Sequence, residues 1–381
     1  MDLALSPEAQ ELGAAFRRWI EENLPQEWCD AGASGDDGQL VEMRTRWGQL
    51  LAVSGWAGPA IPREYGGLGL SVDGQLAYVT ALVDAGAPEQ MNTNGLGIFA
   101  PSLLQFGTSE QKDRYLPPML RHQEIWCQGF SEPEAGSDLR SLRTRAEPDG
   151  NGFRITGQKV WTSYAHYADR CYLLARVPGD NGGITMFVIP TAAAGVSVRP
   201  LRTMAGGSEF CEVFLDDVQV PAEDVVGAVG DGWRLATYSL ARERSSALAQ
   251  RTLLLGREQQ RLLSLVADQA PSDRPSQEAL VEAHVRVRAL TATVRRTLAV
   301  IAGGGEPGML SSIGKLVWSE AHQDQLQLAL QALGPAAAVG PQVERGWTRL
   351  ALAARGETIY GGTSEVQRNL LAKALGLPTD R

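Results

Sequence analysis

Two stretches of this chain combine side chains whose types and spacing could hold a reactive group. Gly129-Phe130-Ser131-Glu132-Pro133-Glu134-Ala135-Gly136-Ser137-Asp138 is a Pro/Gly-punctuated loop with hydroxyls and exposed backbone amides. Such a loop suits a polar or anionic group, and it could equally be an ordinary turn between two elements. About 20 residues later comes Ile155-Thr156-Gly157-Gln158-Lys159-Val160-Trp161-Thr162-Ser163. A tryptophan flanked by hydroxyls can cover an aromatic cofactor, or can be core with capped strand ends. Structural zinc, a disulfide framework, a metalloenzyme and a His-based hydrolase find no support. Cys29, Cys127, Cys171 and Cys211 form no CxxC pair, and His122, His166, His284 and His322 show no metal-ligand spacing.

The elements that must position these stretches differ along the chain. Up to about residue 120 the pattern is helical with Gly/Pro breaks. Ser6-Pro7-Glu8-Ala9 reads as a helix start with proline in the first turn, leading into an amphipathic run through Leu24. Gly55 to Leu70 reads as loop, and helical pattern returns at 73–85 and 109–120. Between Glu124 and Gly230 short β-rich runs dominate, at 152–157, 171–177, 183–190 and 211–215, which predicts a small, largely antiparallel β domain. From Trp233 the helical period returns, with breaks at 270–275 and 303–308.

Composition sets outer limits. The 381 residues are 44% hydrophobic and 21% charged, enough to bury a sizeable core. A net charge of -9 without a basic cluster argues against nucleic acid as a partner. No apolar run reaches the length of a membrane span, and the first residues lack the basic and apolar parts of a secretory signal. A reduced, cytoplasmic enzyme is the expectation.

With Ile359-Tyr360-Gly361-Gly362-Thr363-Ser364-Glu365-Val366-Gln367-Arg368-Asn369, the two stretches resemble the acyl-CoA dehydrogenase family in order, spacing and domain texture from about Leu5 to Leu377. The resemblance implies an α+β, mainly α fold: an N-terminal helical domain (1–121), a middle β domain (122–229) and a C-terminal four-helix bundle (230–381). It implies FAD as cofactor and α,β-dehydrogenation of an acyl-CoA or carrier-bound acyl thioester. Phe130, Ser131, Trp161 and Ser163 would line the flavin ring, with Gly136 and Ser137 near phosphate groups or substrate. Thr363 and Glu365 would lie by the ribityl and diphosphate portion, and Arg244, Tyr360 and Gly361 by the thioester.

The same resemblance exposes departures. Many members carry the catalytic Glu in the C-terminal motif, at the position where this chain has Gly361; only a backbone N–H remains there to polarise a thioester carbonyl. Other members place the base on the first long helix of the C-terminal domain, and the matching residue is Glu243 in Leu240-Ala241-Arg242-Glu243-Arg244. A carboxylate between two arginines is otherwise commonly a solvated helix residue. The Arg-x-x-Phe-Gly segment that members extend to a neighbour's FAD is absent, and Gln331-Ala332-Leu333-Gly334-Pro335 replaces the usual Gln-x-x-Gly-Gly. The implied partners are therefore an electron-transferring flavoprotein and either a homo-oligomer or a mixed assembly with a related subunit. Residues 91–107 resemble members acting on bulky, steroid-like substrates. A flavin-poor subunit that completes a relative's site, and a flavin monooxygenase on the same fold, are the competing readings.

Overall fold

A computed structural model describes residues 5–29, 37–179, 182–268, 275–340 and 346–377, leaving aside the side chains of 37 and 240–246. In chain order the helices are α1 (Pro7–Asn23), α2 (Asp37–Val53), α3 (Val72–Asp84), α4 (Ala100–Phe106) and α5 (Ser109–Leu120). After the strands come α6 (Gly232–Ala267), α7 (Gln277–Ala302), α8 (Met309–Leu333), α9 (Trp347–Ala353) and α10 (Ser364–Ala374). The strands are β1 (Trp126–Gly129), β2 (Arg145–Asp149), β3 (Gly152–Ser163), β4 (Arg170–Val177), β5 (Gly183–Pro190), β6 (Val196–Leu201), β7 (Phe210–Pro221) and β8 (Val225–Val226). The fold is α+β and mainly helical.

Helix starts follow local chemistry. Ser6 and Ser71 accept hydrogen bonds from Ala9 N and Gly74 N at the heads of α1 and α3, and Thr108 with Gln111 closes a capping box on α5. α2 is less legible because its buried face includes a charge. Val41, Arg44, Trp47 and Leu51 point inward, and Arg44 bonds Glu89 (2.6 Å) and the Tyr164 hydroxyl (3.0 Å). Residues Asn94–Phe99 wind as a π-helix, a form often found at functional sites.

The chain divides into two compact units. The first contains residues 37–69 and 89–243, with the whole eight-stranded sheet in the order β6-β7-β3-β2-β4-β5-β8 and β1 beside β4. Most pairings are antiparallel; β1 and β2 run parallel to β4. One of its cores stacks Phe99 on Trp126 and on Tyr172 at 4.8 and 4.7 Å. The second unit contains α1, α3 and the chain from Arg244 onward. Phe16 of α1 stacks on Tyr78 of α3 at 4.3 Å, and Leu248, Leu255, Val287, Leu290 and Trp318 form a core among α6, α7 and α8.

Candidate functional site

In the sheet unit the two chemistry-bearing stretches meet. Lys159 on β3 is fully buried, and its Nζ donates to Glu132 Oε1 at 2.7 Å and to the Phe130 carbonyl at 3.4 Å. Val160 N donates to the Ser131 carbonyl at 2.9 Å. Glu132 also accepts from Arg143 N (2.5 Å) and Thr144 N (3.0 Å). Within the loop, Glu132 and Ala135 exchange backbone hydrogen bonds, closing a tight turn. Burial pushes the Lys159 ammonium down, against the pull of Glu132. Burial pushes the Glu132 carboxyl up, but Lys159 and the Arg143 amide outweigh it and the net shift is downward. Lys159 and Glu132 together form a buried ion pair that fixes the loop on the strand.

That pair presents the motif residues in different environments. Phe130 is buried, edge-on to the Tyr172 ring at 5.7 Å. Ser131 is half-buried, whereas Gly136 and Ser137 are exposed, and a Cβ at Gly136 would meet nothing within 4 Å. One extra residue lies in β3 between the pairs Lys159–Val213 and Thr162–Cys211. This bulge turns Trp161 outward in the left-handed region (φ 59°), 60% exposed, with an edge contact to Phe210. Ser163 is half-buried. Between them, the Thr162 hydroxyl is buried with no hydrogen-bond partner among the described residues.

In the helical unit the third stretch forms the turn Tyr360–Thr363 ahead of α10. Gly361 and Gly362 take φ values of 66° and 90°, backbone that disfavours a side chain. Gln367 Nε2 donates to the carbonyls of Gly361 (3.1 Å) and Gly362 (3.4 Å). Thr363 caps the helix by accepting from Val366 N. Glu365 is exposed in the first turn, its carboxyl held low by its own backbone amide and the Thr363 hydroxyl. Tyr360 is 39% exposed, with the Arg251 guanidinium 5.5 Å above its ring.

α8 supports this turn. His322 is clamped between Glu258 (2.9 Å) and Glu357 (2.8 Å). Burial opposes its charge, but the flanking Glu258 and Glu357 carboxylates override that and raise it to about 10. Gln323 donates to the Ala354 carbonyl at 2.7 Å, and Arg368 pairs with Glu320 at 2.5 Å. Lys315 is buried, and Ser364 Oγ and Gln367 Oε1 are buried and unpartnered among the described residues.

Sequence reading did not single out Glu132, Lys159, Thr162, Arg251, Lys315 or Gln367. Lys159 and Glu132 stood inside quoted motifs, so their joint signal was present as a buried charge of each sign. Nothing local marked Lys315 or Arg251. Glu243 and Arg244 fall on α6, and their side chains lie outside the described residues. The break expected at 270–275 lies largely outside them too.

Three family models cover the chain: the acyl-CoA dehydrogenase N-terminal domain over residues 6–123, the middle domain over 127–218 and the C-terminal domain over 230–376. This chain belongs to the acyl-CoA dehydrogenase family. The acyl-CoA dehydrogenase IpdE1 of Mycobacterium tuberculosis (strain ATCC 25618 / H37Rv) is 38% identical over 98% of this chain and 99% of its own length. Among solved structures, the Tcur3481-Tcur3483 steroid ACAD matches with a TM-score of 0.86 at 28% identity, covering both chains fully. The ChsE4-ChsE5 complex from Mycobacterium tuberculosis matches with a TM-score of 0.83 at 30% identity, again over both whole chains. The protein is an FAD-dependent oxidoreductase of this family. Among the described residues no helix is long and apolar enough to cross a membrane.

The side chains present fit the cofactor. Thr162 Oγ1 in the sheet unit, and Ser364 Oγ and Gln367 Oε1 in the helical unit, are buried polar atoms left unmatched, each at a motif stretch. An orphaned buried polar group costs about 1–3 kcal/mol, and each unit taken by itself leaves such capacity at a motif stretch, as a polar cofactor needs.

Proposed function

We propose that this enzyme dehydrogenates the acyl part of a bulky acyl-CoA between its α and β carbons, with Glu243 as the base. The observation that carries the base assignment is Gly361, which stands where many relatives carry the catalytic carboxylate and takes a left-handed backbone conformation. FAD, when bound, supplies the two-electron acceptor for the hydride leaving the β carbon. Phe130, Ser131, Trp161 and Ser163 would face its ring system, and Gly136, Ser137, Thr363 and Glu365 the rest of the molecule. Arg244, Tyr360, Ser137 and the Gly361 N–H would orient the thioester, the N–H drawing charge onto its carbonyl oxygen.

Glu243 comes one helical turn after Ser239 on α6. Ser239 is fully buried and shares a 2.6 Å hydrogen bond with Ser102 of α4, which fixes the helix rotation just before the proposed base. A carboxylate enclosed beside an acyl chain gains basicity through desolvation, as proton abstraction next to a carbonyl requires. Glu243→Gln keeps shape and hydrogen bonding but accepts no proton. Anaerobic flavin bleaching should slow by roughly 10² while FAD content stays unchanged. Unaltered bleaching would move the base elsewhere.

A bulky acyl group is supported by the match to a structure described as a steroid ACAD and by the π-helical Asn94–Phe99 segment. A screen of acyl-CoAs graded in length and ring content tests it: straight-chain substrates bleaching the flavin fastest would overturn the assignment. We place the reaction in the cytoplasm, with electrons passing to an electron-transferring flavoprotein. A mixed assembly is supported by the absent Arg-x-x-Phe-Gly segment and by two solved relatives, the Tcur3481-Tcur3483 steroid ACAD and the ChsE4-ChsE5 complex. Co-expression with a related subunit should then raise the flavin content of the purified protein.

A further inference from the structure

The turn that carries Gly361 lies against a charge that no described side chain meets at hydrogen-bond distance. Lys315 on α8 is 3% exposed, and its Nζ has no hydrogen-bond partner among the described residues. Its Cε lies 4.0 Å from where a Cβ on Gly361 would sit, and nothing else approaches that point. Burial and then the like charge of Arg251 push the ammonium down to about 8, while Glu357, Glu365 and Glu320 pull it back from a distance. Each of those acids is otherwise engaged: Glu357 with His322, Glu320 with Arg368, and Glu365 with the first turn of its own helix.

Arg251 adds a second cation whose recorded contacts are ring faces, those of Trp318 at 4.7 Å and Tyr360 at 5.5 Å. Backbone donors of the turn are partly committed, Ser364 N to the Thr358 carbonyl and Val366 N to Thr363 Oγ1. The groups left to receive a ligand are therefore side chains: the Lys315 ammonium, the Arg251 guanidinium and the buried Ser364 hydroxyl. An ammonium buried without a partner is among the costliest arrangements in a fold, and native proteins keep such groups where a ligand compensates them.

We propose that Lys315 and Arg251, with the Ser364 hydroxyl that follows the turn, form a phosphoryl-binding subsite of the helical unit at the Tyr360–Thr363 turn. Two cations and a hydroxyl match a diphosphate in charge and in hydrogen bonding, and a lysine serves phosphate as a point charge. The chemistry of the site stands on these side chains alone. Its source rests on the proposed function, because FAD and CoA both carry a diphosphate.

The test uses the purified full chain, with its partner subunit if one assembles, compared with Lys315→Met and Arg251→Gln. Sodium pyrophosphate should raise the melting temperature of the ligand-stripped wild type. Lys315→Met should melt higher than wild type without ligand, because a buried unpaired charge is gone, and should lose the pyrophosphate-dependent rise. Arg251→Gln, on a half-buried side chain, should weaken the rise without altering the fold. Titration with FAD and separately with CoA assigns the source: the ligand whose dissociation constant increases tenfold or more in Lys315→Met is the one the subsite holds. A wild type indifferent to pyrophosphate, or a rise that survives in both variants, would overturn the proposal. So would Lys315→Met melting below wild type with both affinities unchanged. A wild type that responds to pyrophosphate but binds neither FAD nor acyl-CoA would instead sink the dehydrogenase reading and leave the subsite standing.

Discussion

The loop at Phe130–Asp138 and the turn at Tyr360–Ser364 both carry family motifs, yet each buries a lysine in the opposite state. In the sheet unit Lys159 sits 2.7 Å from Glu132, and the carboxylate's remaining oxygen is filled by a backbone amide. In the helical unit Lys315 is enclosed without a partner at hydrogen-bond distance among the described residues, and so are the Ser364 and Gln367 oxygens that follow the Gly361 turn. The ion pair of the first site is complete before any ligand arrives, because its two charges satisfy each other. The second is built to be completed by what it binds. A buried charge can thus be part of a scaffold or part of a binding surface, and the presence of its counter-charge distinguishes the two.

The largest expected effect comes from breaking the complete site. Lys159→Met leaves Glu132 charged and buried, which typically costs about 3–5 kcal/mol. Chemical denaturation should show that loss, and the released loop should shed FAD. If Lys159→Met matches wild type in both, the ion pair is not what holds the loop, and the contrast with Lys315 collapses.

Acid and alkali should separate the two regions. The Glu132 carboxyl is lowered on folding, so its contribution is present above the ordinary carboxylate range and disappears as pH falls through its lowered value. His322 is raised from 6.5 to about 10, so its contribution is complete below pH 6.5 and is lost as pH rises through about 10. Hydrogen exchange should therefore show the loop near Glu132 loosening first in acid, and α8 with the segment at Glu357 loosening first in alkali. His322→Gln should remove the alkaline transition alone; the same transition persisting in that variant would assign it to another group.

A smaller effect sharpens the contrast. Trp161 is 60% exposed and makes one edge contact, so Trp161→Ala should change stability by no more than about 0.5 kcal/mol. With its exposed ring proposed to face the flavin, the variant should hold FAD less tightly. A large stability loss with unchanged FAD affinity would make Trp161 a structural residue.

How much was legible in the sequence depended on how far apart the interacting groups lie. Ser6, Ser71 and Thr108 each start a helix through a bond spanning three residues, so those starts could be read directly. The turn-bounded runs of β-formers in β4 and β5 and the glycine-marked Tyr360–Thr363 turn are local in the same way. The family motifs were readable because they are contiguous, and they carried FAD and the reaction class with them. α2 escaped because its inward face includes Arg44, a charge that makes sense only beside Glu89, 45 residues on.

The sequence by itself determined the order of helical and β-rich segments, the contiguous motifs of the family, and the absence of a carboxylate at Gly361. Tertiary structure decided which buried charges are paired. Lys159 finds Glu132 across 27 residues, and Lys315 reaches the Gly361 turn from a different helix with Arg251 alongside. Backbone propensities and caps act over a few residues and are written in neighbouring letters. The pairing of a charge depends on which distant segment packs against it, and only the folded chain fixes that.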